Sequence, residues 1–124
     1  MRIFRFNTHL AKRIDKFDSQ NAFVCPVLRT NGFVQVGCFF VQPEGRIGMH
    51  PAVTNQLLMV VQGKGWVRSN TSAPVFVEMG DAIYWEEGEW HEAGSDDGMM
   101  AFVWEGKTLN PGQFMLTQTS ETLT

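Results

Sequence analysis

Turn-forming residues recur so closely in this chain that few folds fit between them. TNG (30–32), PEG (43–45), SNTSAP (69–74), EMGD (78–81), EEGE (86–89), GSDDG (94–98) and NPGQ (110–113) punctuate it, and the intervals are short and rich in Val, Phe, Trp and Leu. Short apolar stretches bounded by Gly, Pro, Asn and Asp predict an all-β sandwich or barrel. The chain has 124 residues, enough for one domain around one core. Apolar residues make up 44% and charged residues 19%, which is globular composition.

Individual segments carry further expectations. Leu10, Ile14 and Phe17 share a face at helical spacing, so a short helix is expected over Leu10–Phe17. Residues 1–20 then form an N-terminal arm with a short helix and strand, and residues 21–124 form the barrel. Asn31-Gly32 suits a type I′ hairpin turn. Centred there, the hairpin sets Val27 opposite Val36, Cys25 opposite Cys38 and Phe23 opposite Phe40, with one wholly apolar face. Cys25 and Cys38 then read either as a cross-strand disulfide or as two reduced, buried thiols. The N-terminus carries scattered charges and no apolar segment of a secretory signal, so reduced thiols and a cytoplasmic location are expected. Gln56–Gln62 and Met99–Trp104 are apolar on both faces, which predicts that a second sheet or a second subunit, in a homodimer, covers the outside.

The formal net charge is −3, which supplies no basic field for nucleic acid. No apolar run approaches the roughly 20 residues of a membrane helix. Neither nucleic acid nor membrane is expected as a partner.

Two spaced patterns then stand out. In the first, His50, Ala52, Gln56 and Gly63 follow Gly45. In the second, Gly80, Glu86, Gly88, His91 and Ser95 occur in order. These spacings resemble the two motifs of the cupin superfamily: G, five residues, H-x-H, three or four residues, E, six residues, G; then G, five residues, P-x-G, two residues, H, three residues, N. Gly45 is one residue closer than the pattern asks, and sixteen residues separate Gly63 from Gly80. By motif the resemblance covers Pro43 to Ser95, and it implies a double-stranded β-helix barrel of the jelly-roll type. Gly63, Gly80 and Gly88 then fall at strand ends that need tight turns.

The resemblance also implies a metal site at His50, position 52, position 56 and His91, but Ala52 cannot ligate and Gln56 offers only a neutral amide. Glu86 and Ser95 replace the Pro and Asn of the second motif. Two imidazoles and an amide are a poor trap for a divalent cation. The expected cofactor is therefore none, or a weakly held divalent metal (Fe, Mn, Ni or Zn). Glu89 could supply a carboxylate if it shares a strand face with His91; otherwise EEGEWHE is a solvated acidic rim. Gln56, if buried, needs a hydrogen-bonding partner, most simply His50 or His91. Trp90, beside His91, is expected at the barrel mouth, against a ligand or a partner subunit. His50, Gln56, His91 and Trp90 thus form the expected ligand site, and Ala52 should leave a gap beside it. Two functions follow: a small-molecule-binding protein, or a metal-dependent enzyme of dioxygenase or isomerase type using His50, His91 and Gln56 or Glu89. No Ser-His-Asp or Cys-His arrangement suggests itself.

Overall fold

A computed structural model of the protein describes residues 1–70 and 72–117. The described residues form ten strands and one 3-10 turn, Pro111–Gln113. The strands are β1 (Arg2–Arg5), β2 (Lys12–Arg13), β3 (Phe23–Val24), β4 (Gln35–Val41), β5 (Gly45–Pro51), β6 (Gln56–Ser69), β7 (Val75–Glu78), β8 (Asp81–Trp85), β9 (Trp90–Ser95) and β10 (Met99–Glu105). All pairings are antiparallel. The first sheet runs β1-β8-β6-β10-β4, while β5, β9 and β7 build onto the second half of β6. This is an all-β barrel, as the turn spacing predicts, and of the jelly-roll type that the family resemblance implies.

The long strand β6 serves both walls. Its first half pairs with β8 and β10, and its second half pairs with β7 and β9. The change of wall needs a sharp bend, and Gly63 supplies it. Its φ is +80°, and a Cβ there would lie 2.4 Å from the Gly98 carbonyl oxygen. Only glycine meets both conditions. Gly80 and Gly88 also take positive φ, as expected of the turn positions in the two motifs.

Strand alternation then sorts side chains by face. Leu58 and Val60 of β6, Ile83 and Trp85 of β8, Ala101 and Val103 of β10 and Val67 on the second half of β6 form the inner core. The second apolar face of β6 is also covered, and by the chain itself. Leu57 packs with Phe4, Ala82, Tyr84, Leu109 and Met115, with Val27, Leu28 and Val34 against them. At roughly 1.5–3 kcal/mol for each fully buried large aliphatic side chain, both layers stabilise the fold. A second subunit is therefore not what covers Leu57. What stays open is the outer side of β4 and β10, where Val36, Phe40 and Phe102 are 47%, 67% and 40% exposed.

Two expectations are corrected. Leu10–Phe17 forms no helix; β2 lies within it and Phe17 is exposed at positive φ. Within the stretch read as an N-terminal arm, β1 pairs with β8 of the barrel along Arg2–Arg5. The hairpin about Asn31-Gly32 does not form either. Neither residue adopts the positive φ that a type I′ turn requires. β4 pairs with β10 instead, with Cys38 opposite Phe102 and Phe40 opposite Met100, while Phe23 pairs with Arg13. The TNG segment is held against the loop after β10: Thr30 and Thr108 share a hydroxyl hydrogen bond, and the Gly32 Cα sits over Thr108. Cys25 and Cys38 are both free thiols, as expected, but not opposite one another. Among the described residues no helix is long and apolar enough to cross a membrane.

Candidate functional site

β5 and β9 set the two histidines. In their antiparallel register His50 lies opposite His91 and Pro51 opposite Trp90. The imidazole centroids are 4.4 Å apart and tilted by 53°. His91 is buried, only 3% exposed, whereas His50 is half-buried. Each ring is fixed through Nδ1. His50 Nδ1 lies 2.7 Å from the Gly48 carbonyl oxygen and His91 Nδ1 lies 3.1 Å from that of Glu89. A carbonyl oxygen only accepts, so each Nδ1 carries the proton and donates. In the neutral rings both Nε2 atoms are then lone-pair acceptors, and neither has a hydrogen-bonding partner among the described residues.

Burial disfavours the charged form of His91 and lowers its pKa below the ordinary value of 6.5. The neighbouring His50 lowers it further, against the opposing pull of the Glu89 carbonyl and carboxylate. Behind His91 the Trp85 indole stacks at 4.4 Å with an interplanar angle of 28°.

Gln56 opens β6. Its inward-facing position continues along one row across neighbouring strands, with Trp85 opposite on β8 and Glu105 opposite on β10. His50, Gln56, His91 and Glu105 line one cavity of about 50 Å³, closed by Phe39, Ile47, Leu58, Trp85 and Ala93. Buried Gln56, His91, Leu58, Trp85 and Ala93 form its floor, and half-buried His50 and Glu105 stand at its open side. Gln56 is 6% exposed, yet its amide makes no hydrogen bond to a described residue, so the bond expected to His50 or His91 is not there. The Trp85 N–H, by contrast, is sealed from solvent without a partner among the described residues.

The other candidates lie elsewhere. Glu89 is not on a strand face with His91, because β9 begins at Trp90. Its carboxylate instead accepts hydrogen bonds from the Met1 ammonium, the Ser69 hydroxyl and the Glu86 N–H. Burial alone would raise its pKa, but those donors outweigh burial and hold it below the ordinary value. Trp90 is 50% exposed and does not line the cavity. Ala52 is buried but does not line it either. It follows the end of β5, with its N–H bonded to the Glu89 carbonyl and its own carbonyl to the Gly88 N–H.

Glu105 and Trp85 are the residues that motif spacing does not reach. Both belong to strands outside the two histidine positions, and only the strand order brings them into line with Gln56. Among the described residues no three His, Cys, Asp or Glu side chains are grouped so as to hold a metal ion.

No protein-family model matches the chain, and no curated protein matches it. Solved structures do. A cupin-like protein from Thermotoga maritima matches with a TM-score of 0.57 at 21% identity, over 60% of this chain and 57% of that one. A cupin superfamily protein from Desulfitobacterium hafniense matches with a TM-score of 0.57 at 11% identity, over 72% of this chain and 81% of that one. An RmlC-like cupin from Shewanella frigidimarina matches with a TM-score of 0.55 at 16% identity, over 66% and 69%. The matched part thus spans little more than half of the Thermotoga protein. The chain has the cupin fold, and a fold shared at such identities does not fix an activity.

Proposed function

We propose that this protein binds a small molecule in the cavity between His50, Gln56 and His91, without redox chemistry and without a tightly held metal. The observation that carries this reading is the Gln56 amide. It is 6% exposed, it lines the cavity, and no described residue completes its hydrogen bonds. Its donors and acceptor are thus left for water or a ligand to complete. The two imidazole rings and Glu105 line the same space, and the rest of the wall is largely apolar. A few convergent polar groups in an apolar cavity make a ligand site. A cytoplasmic location belongs to the same proposal.

The second reading is a metal-dependent enzyme. One observation favours it: both Nδ1 atoms are committed to carbonyls, which leaves two Nε2 atoms available as ligands. Structures of similar fold include one described as a predicted oxalate decarboxylase from Thermotoga maritima and one from a study of DMSP lyases.

Elemental analysis of untagged, freshly purified protein separates the two, together with melting in added Mn, Fe(II), Ni or Zn. The binding reading expects sub-stoichiometric metal and little change in melting. Stoichiometric metal that is lost in His50→Ala and His91→Ala would overturn it in favour of the enzyme. Gln56→Glu supplies a charged oxygen on the same floor and should gain divalent-metal binding that the natural protein lacks.

A further inference from the structure

The cavity's polar lining is one-sided. His50 and His91 present lone pairs at Nε2, because both Nδ1 protons are committed to backbone carbonyls. Glu105 adds a carboxylate, which accepts only. It has no ion-pair partner among the described residues, and no Lys or Arg lines the cavity. The donors are few: the Gln56 amide N–H groups, and a Trp85 N–H sealed within the wall. Gln56 can also turn its carbonyl oxygen inward, which raises the number of acceptors.

We infer that the cavity takes the cationic end of a small organic amine, a primary ammonium group, with Glu105 as counter-charge and the His50 and His91 Nε2 atoms as hydrogen-bond acceptors. This rests on the reading of the cavity as a ligand site.

Four comparisons select this class. An anion would face the Glu105 carboxylate and two lone pairs with no cation in the lining to offset them. A whole sugar ring does not fit inside a cavity of about 50 Å³, far below the roughly 300–1,000 Å³ of ordinary small-molecule pockets. A metal ion needs three ligands at about 2.0–2.2 Å, a closer grouping than any His, Cys, Asp or Glu of the described residues provide, whereas an ammonium is held through hydrogen bonds of about 2.7–2.9 Å. An ammonium has three donors for this acceptor-rich lining, and its bond to a carboxylate is charge-assisted. Phe39, Ile47 and Leu58 in the wall suit the carbon end of such a ligand.

The test follows the two histidine rings by NMR. Protein labelled with ¹⁵N-histidine is titrated at pH 8 with methylammonium chloride, with sodium acetate, with zinc chloride and with sodium chloride at equal ionic strength. Methylammonium should move the Nε2 signals of His50 and His91 saturably, and sodium chloride and acetate should not. In Glu105→Gln the methylammonium affinity should fall about tenfold, the loss expected of one charge-assisted bond. Should that variant fail to fold, Glu105→Asp keeps the charge and should keep measurable binding. Saturable shifts with acetate alone, or equal methylammonium affinity in Glu105→Gln, would overturn the ammonium assignment and leave the cavity as a site for another ligand. If none of the probes moves either ring, the cavity is not a ligand site and the underlying reading fails too.

Discussion

His91 connects protonation to stability. Its imidazole is buried against Trp85 and His50, so the folded state binds its proton less readily than the unfolded chain does. The sign follows from linkage. The contribution is fully present above the unfolded pKa near 6.5 and is lost as pH falls through that value towards the lower folded pKa. The melting temperature of the natural protein should therefore drop faster on acidification from pH 7 than that of His91→Gln, which has no such proton to gain. Parallel melting curves of the two across this range would contradict it. His50 and His91 were legible from motif spacing, because a fixed number of residues between turns places them opposite one another on β5 and β9. Glu105 was not. It lies fourteen positions after His91 with no motif around it, and it enters the cavity only because β10 happens to neighbour β6. Gln56 was legible as buried, but not as unpartnered, since hydrogen-bond completion depends on rotamers that sequence spacing does not contain.

At the scale of strands, β9 and the second half of β6 meet unusually closely. The Trp66 indole lies over Gly94, and a Cβ at Gly94 would stand 2.4 Å from Cζ2 and 2.6 Å from Cε2. These atoms belong to a rigid ring, so Gly94→Ala must displace the indole or part the strands. A cost of about 1–3 kcal/mol is expected in urea unfolding, the range for overpacking. The cost should shrink in a Trp66→Val background, and an unchanged cost there would show that the clash lies elsewhere. Strand existence was readable from turns and apolar runs. Strand partnership was not, as the Asn31-Gly32 segment shows. Its local turn preference is outweighed by the seven-residue register between β4 and β10 and by the Thr30–Thr108 contact. The apparent helix over Leu10–Phe17 failed for a related reason: three apolar positions give too little periodicity to overcome the cost of starting a helix.

For the whole molecule, the open apolar surface sets the expected assembly. The second face of β6 is covered by the chain's own segments, but Val36, Phe40 and Phe102 remain outside. They lie on the outer side of β4 and β10, and β4 is the terminal strand of its sheet. An uncharged patch of this kind suits self-association about a two-fold axis, since it brings no like charges together. Light scattering at micromolar concentration should give twice the monomer mass. Phe40→Ser with Phe102→Ser should return the monomer with little loss of fold. A natural protein that is already monomeric would remove the homodimer.

The course of β6 has a consequence for when the cavity exists at all. Gln56 begins this strand, and Ser69, at its far end, pairs with His91. Gln56 and His91 line the same cavity, so the first residue of β6 borders the region that its last residue pairs into. The polar lining is complete only when four strands have paired in the order β5, β9, β6 and β10, because each supplies one polar member. Occupancy of the cavity is thus a property of the finished barrel, and a compound held there favours the closed chain over every partly assembled one by mass action. Resistance to proteolysis would then rise with ligand concentration as a single transition, from the N-terminal strand to β10 together.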